Sequence, residues 1–83
     1  MVYSLSQHAN DQLRLRQIDL MLVDEIMQNP DDIIISDECK HIYQKSITLK
    51  DKNYLYRLFV NVCKKPAIII TGYRTSKIEK YEN

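Results

Sequence analysis

Residues 53–75, NYLYRLFVNVCKKPAIIITGYRT, hold two runs of strand character around one polar break, and their reading decides the fold. Tyr54-Leu55-Tyr56-Arg57-Leu58-Phe59-Val60 puts apolar side chains on both faces of an extended chain, the pattern of a central strand covered on each side. Lys64-Lys65-Pro66 breaks the run, and Ala67-Ile68-Ile69-Ile70 starts another that continues to Thr75. Working upstream, the polar KDKN at 50–53 separates this pair from HIYQKSITL at 41–49, and SDECK at 36–40 separates that from the β-branched Ile33-Ile34-Ile35. Short connections make sequential strands pair, which predicts a four-stranded antiparallel meander with strands at about 32–36, 41–49, 53–62 and 66–75.

Ahead of the strands the period changes. Ser6 can cap a helix over about 6–16, and QHANDQLRLRQ holds no Gly, Pro or β-branched residue. Asp19 caps a second helix over about 19–29, which buries Val23, Ile26 and Met27 and stops at Asn29-Pro30. The expected fold class is therefore α+β, two N-terminal helices packed on a four-stranded antiparallel sheet, with residues 1–83 forming one domain.

Composition agrees with a folded domain: 45% of residues are apolar and 28% charged, with one Gly and two Pro. No run approaches the ~20 apolar residues of a membrane span, and MVYSLSQHAND lacks the pattern of a signal peptide, so a cytoplasmic protein is expected. Cys39 and Cys63 have neither CxxC spacing nor a His nearby, and are expected to be reduced structural thiols. Residues 1–40 carry eight acids against three cations, a net of −5, and residues 41–83 carry nine cations against three acids, a net of +6. That polarity suits a surface for an anion, or two halves that neutralise each other.

Several residues could carry chemistry on that surface. His8, Gln12 and Arg16 fall on one stripe of the first helix, since steps of four residues advance by only ~40°. His8, in the first turn, is either a neutral general base or a local hydrogen-bonding group. Arg16, on the arc turned to the sheet, needs a carbonyl, a carboxylate or a ligand phosphate. Arg57 sits in mid-strand between apolar neighbours. In the last strand Thr71, Tyr73, Thr75 and Lys77 share one face, with Arg74 opposite, and offer hydroxyl and ammonium donors to a phosphate. Lys45 is a further candidate. No phosphate loop, metal cluster or nucleophile elbow is present, which leaves metal-free acid–base chemistry with no cofactor.

Ser6-Gln7-His8-Ala9, Arg16-Gln17-Ile18, Asn29-Pro30, Arg57 and Thr71-Gly72-Tyr73-Arg74-Thr75-Ser76-Lys77, in that order, resemble the bacterial domain of unknown function 4258 family. Gln12 departs from it, standing where the family commonly shows Arg. That family is similar to the RelE/ParE/BrnT-like toxins, which implies a metal-independent RNA endonuclease of a toxin-antitoxin system. On this resemblance His8, Arg57, Thr71, Tyr73 and Lys77 become the candidate site, with Arg16 supporting it or binding phosphate; taken with the residue reading, His8, Arg57, Tyr73 and Lys77 are the catalytic candidates and Arg16, Lys45, Thr71, Arg74 and Thr75 the substrate-binding ones. Its implied partners are RNA, on the ribosome or free, and an acidic antitoxin; Ile33-Ile34-Ile35 offers the edge of a homodimer. The alternative function is a non-catalytic protein- or RNA-binding module of the same fold.

Overall fold

The structure, a computed structural model, describes residues 2–78. Its elements run β1 (Tyr3–Leu5), α1 (Gln7–Leu15), α2 (Leu20–Gln28), β2 (Asp32–Ile35), β3 (Lys40–Leu49), β4 (Lys52–Asn61) and β5 (Ala67–Thr75). The expected four-stranded antiparallel sheet is corrected: the sheet has five strands in the order β1-β5-β4-β3-β2, and it is mixed. β2 to β5 form the antiparallel meander, but β1 precedes the helices and pairs parallel to β5 through Tyr3↔Ala67, Ser4↔Ile68 and Leu5↔Ile69. The helices are thus inserted between two strands of one sheet, as a parallel pair requires a crossover.

Local chemistry explains where the helices begin and end. The Ser6 hydroxyl accepts from the Ala9 N–H at 3.0 Å and donates to the Ile70 carbonyl at 3.1 Å, while the Ser6 N–H donates to Ile69 at 3.0 Å. One residue therefore caps α1 and ties it to β5. At the other end the Ile18 N–H bonds the Leu13 carbonyl and the Gln17 N–H that of Arg14, the paired closure of a Schellman motif. Gln17 takes the left-handed position there, at φ 57°, where glycine is commoner. Asp19 caps α2 by accepting from the Met21 N–H at 2.8 Å.

Both helices lie against one face of the sheet. Ala9 and Leu13 of α1 and Val23, Ile26 and Met27 of α2 are buried with Tyr43, Tyr56, Leu58, Val60 and Ile69. Alternation then sends Ile42, Gln44, Leu55, Arg57 and Phe59 to the far face. Apolar residues on both faces of β4 were expected to mean a central strand covered on each side; Tyr56, Leu58 and Val60 are buried under the helices, and Leu55 is buried on the far face. The expected free thiols are also corrected: Cys39 and Cys63 form a disulfide joining the β2–β3 turn to the β4–β5 turn. Among the described residues no helix is long and apolar enough to cross a membrane.

The short β1 is fastened to α2 by the Tyr3 hydroxyl, which donates to Asp24 Oδ1 at 2.8 Å. Burial, and then the Asp24 carboxylate, push the phenol from its ordinary 10.0 up to about 12. A raised folded-state value stabilises the fold below pH 10 and loses that contribution as pH climbs from 10 to 12. Denaturant unfolding of wild type and Tyr3→Phe across this window is therefore expected to show the wild-type advantage shrinking toward zero. An advantage that stays constant would refute the tie.

Candidate functional site

The middle of the far face is built from one rung across three strands, Gln44 on β3, Arg57 on β4 and Tyr73 on β5. Arg57 Nε donates to Gln44 Oε1 at 2.6 Å, and its Nη1 donates to the Tyr73 hydroxyl at 2.8 Å. Gln44 is only 5% exposed, so the guanidinium satisfies an amide oxygen that burial would otherwise penalise. The positive charge is thereby fixed in place rather than left on a mobile stem.

Aromatic rings frame that charge. Phe59 and Tyr73 stack with centroids 6.0 Å apart and planes 24° from parallel. The Arg57 guanidinium carbon lies 5.5 Å from the Phe59 centroid and 5.9 Å from that of Tyr73. Attraction between the cation and the ring faces adds to the hydrogen bonds. Thr71 pairs with Phe59 and Thr75 with Leu55, which sets one half-buried threonine on each side of Tyr73.

Arg57, Thr71, Tyr73 and Thr75 are thus brought together, and the other candidates lie elsewhere. His8 is exposed on α1, in the layer that covers the opposite face. Arg16, expected to point inward, is exposed at the C-cap of α1 and donates to the Gly72 carbonyl at 3.3 Å. Lys45, one residue from Gln44, projects to the helix side, where its Nζ donates to the Asn29 carbonyl at 2.7 Å and pairs with Asp31 at 3.4 Å. It fastens the end of α2 to β3. Arg74, adjacent to Tyr73, also takes the helix side, where its Nη1 donates to the Tyr56 hydroxyl at 3.2 Å. That bond raises the Arg74 pKa above its ordinary value, so the group is a permanent cation. Lys77 is exposed two residues past the end of β5, and its backbone N–H donates to Thr75 Oγ1 at 3.0 Å.

Two members of the rung's surroundings were not anticipated. Gln44 became visible only with the strand register, whereas Phe59 was read on the face of Arg57 but not as part of the site. Their signal in the sequence was parity: a turn of two residues at Lys50-Asp51 places Gln44 opposite Arg57, and Phe59 shares the face of Arg57 two residues along. Among the described residues no group of His, Cys, Asp and Glu is arranged to hold a metal ion.

The architecture is thus a five-stranded mixed sheet with two helices on one face and, on the other, a guanidinium beside two stacked aromatic rings. A family model described as Domain of unknown function (DUF4258) matches residues 5–74, and the chain belongs to that family. Gln44, Arg57, Phe59 and Tyr73 all fall within the matched span. No curated protein and no solved structure matches the chain.

Proposed function

We propose that the far face binds single-stranded RNA, with Phe59 and Tyr73 as the stacking platform and Arg57 as the charge that meets the phosphate. The observation that carries this reading is the Phe59–Tyr73 pair stacked beside a guanidinium on a strand face away from both helices. Unpaired bases stack on such rings without sequence preference, at about 1–3 kcal/mol per base. Thr71 and Thr75 add hydroxyl donors along the strand.

A second reading, a metal-independent endonuclease of the toxin-antitoxin kind, is favoured by the 2.8 Å bond between Arg57 and the Tyr73 hydroxyl. In that reaction the 2′-oxygen attacks the neighbouring phosphorus and the 5′-oxygen leaves. Tyr73 would give its proton to the leaving oxygen while Arg57 offsets charge on the phosphate. The 2′-hydroxyl proton must go to water, because His8 lies in the helix layer. Binding therefore stands ahead of cleavage. An RNA partner implies a cytoplasmic setting, where the Cys39–Cys63 bridge meets reducing conditions. A protein partner, antitoxin or second copy, would add a strand to the exposed edge formed by Ile33, Ile34 and Ile35 on β2.

Anisotropy with a labelled single-stranded RNA of twelve nucleotides, in EDTA, tests both readings in one tube. Phe59→Ala is expected to weaken binding about tenfold, the loss of one stacking contact. Unchanged affinity in Phe59→Ala, or no binding by wild type, removes the proposal. Cleavage products that vanish in Tyr73→Phe would advance the second reading over the first.

A further inference from the structure

On the helix side of the sheet, at the end where β3 turns into β4, a cleft of about 320 Å³ is lined by Leu49, Lys50, Lys52, Tyr54 and Arg74. No residue of either helix lines it, and it lies on the face opposite the Gln44–Arg57–Tyr73 rung. Three of its five lining residues are cations and none is an acid. Among the described residues, no carboxylate pairs with Lys50, Lys52 or Arg74. Charges gathered without a counter-charge repel one another, a cost that an anion removes.

The cations are also held in position. The Arg74 guanidinium carbon lies 4.7 Å from the Tyr54 ring centroid, and Nη1 is bonded to the Tyr56 hydroxyl. Lys52 Nζ lies 5.8 Å from the same Tyr54 centroid, so one ring orients two cations. Tyr56 meets Tyr54 edge-on at 64° and 6.5 Å, which steadies the ring. Lys50 and Asp51 form the turn with φ of 51° and 65°, values at which Asn and Gly are the usual residues.

We propose that this cleft is a phosphate-binding site, distinct from the far face, in which Arg74 and Lys52 grip the anion and Lys50 closes over it from the turn. Arginine supplies planar paired donors and lysine a point charge, the two modes by which proteins take phosphate. The cleft has room for a phosphate group and part of its hydration shell. The phosphate can come from a free nucleotide or from a polynucleotide backbone; the grip is the same.

Amide chemical shifts of the full chain, followed during titration with inorganic pyrophosphate, test the site. Saturable shifts are expected at Leu49 to Tyr54 and at Arg74. Arg74→Gln should weaken binding about tenfold, and Lys52→Gln should weaken it severalfold. Phe59→Ala, which touches only the far face, should leave pyrophosphate affinity unchanged even if RNA binding is lost. Displacement of pyrophosphate by the twelve-nucleotide RNA would identify a polynucleotide as the source, and displacement by mononucleotides alone a free nucleotide. Shifts that do not saturate, or equal affinities in wild type, Arg74→Gln and Lys52→Gln, would overturn the site. Both substituted residues are exposed, so the fold should persist, and an unchanged circular dichroism spectrum checks it.

Discussion

Replacing Cys63 with serine is expected to lower the free energy of unfolding by about 3.5 kcal/mol, from the loop that the Cys39–Cys63 bridge closes across 24 residues. The bridge acts mainly on the unfolded chain. In the folded state the same end of the sheet is already held, because the Val62 N–H bonds the Cys39 carbonyl at 2.8 Å and Lys40 pairs with Asn61. Cys63 is exposed, so serine there removes little packing and the measured loss reports the cross-link. For a chain of this size each kcal/mol moves the midpoint by roughly 4–8 °C, which places the expected fall in Tm at about 15–25 °C. Thermal unfolding with and without reductant should give the wild type the same fall on reduction. A midpoint that stays within about 3 °C in both experiments would show that the bridge contributes nothing.

The consequence reaches function. Both proposed surfaces depend on the register of β3, β4 and β5, and the disulfide spans the hairpin formed by the first two. Under reducing conditions that register rests on the backbone ladder and on the core, chiefly Leu58, Val60, Ile69 and the apolar stripes of α1 and α2. These residues are almost fully enclosed, and burial of this kind contributes about 1.5–3 kcal/mol per large side chain.

How much of this could be read beforehand follows from the range over which each signal acts. The four meander strands and both helices were legible because period and capping are local: Ser6, Asp19 and the Ile33-Ile34-Ile35 run each announce an element within a few residues. β1 was not. Tyr3-Ser4-Leu5 is too short to show a period, and its partner is Ala67 to Ile69, at the other end of the chain. The disulfide was hidden for the same reason, since Cys39 and Cys63 meet only once β3 and β4 are in register. Within the site, Arg57, Thr71, Tyr73 and Thr75 could be grouped by alternation along their own strands. His8, Arg16 and Lys45 could not be sorted between faces without knowing which side the helices cover. The register itself was concealed by its turn, because Lys50-Asp51 lacks the Asn-Gly or Asp-Gly that marks a two-residue hairpin turn.

Register and core meet at Gly72, which yields the sharpest test of the packing beneath the rung. A Cβ at this position would stand 2.6 Å from Leu58 Cδ2, 3.1 Å from Leu13 Cδ2 and 3.3 Å from the Arg57 carbonyl oxygen. Leu58 and Leu13 are themselves buried at 0% and 1% exposure, so neither side chain has space to withdraw into. Gly72→Ala is therefore expected to destabilise by about 1–2 kcal/mol through overpacking. Leu58→Ala should cost about 3 kcal/mol or more, the transfer and cavity terms of a buried leucine. The two changes should not add. With the Leu58 methyls gone, the new methyl at position 72 enters the vacated space, and alanine restricts the unfolded strand more than glycine does. Gly72→Ala should thus cost the Leu58→Ala protein less than it costs the wild type, by about 0.5–1 kcal/mol, because the Leu58 clash is relieved while the contacts with Leu13 Cδ2 and the Arg57 carbonyl remain. Tyr73 follows Gly72 and Arg57 precedes Leu58, so the single Gly72→Ala change should also loosen the Arg57–Tyr73 bond and weaken RNA binding on the far face. Equal and additive effects in chemical denaturation of the four proteins would mean that Leu58 and Gly72 do not face one another, and the register from which both surfaces are argued would fall with them.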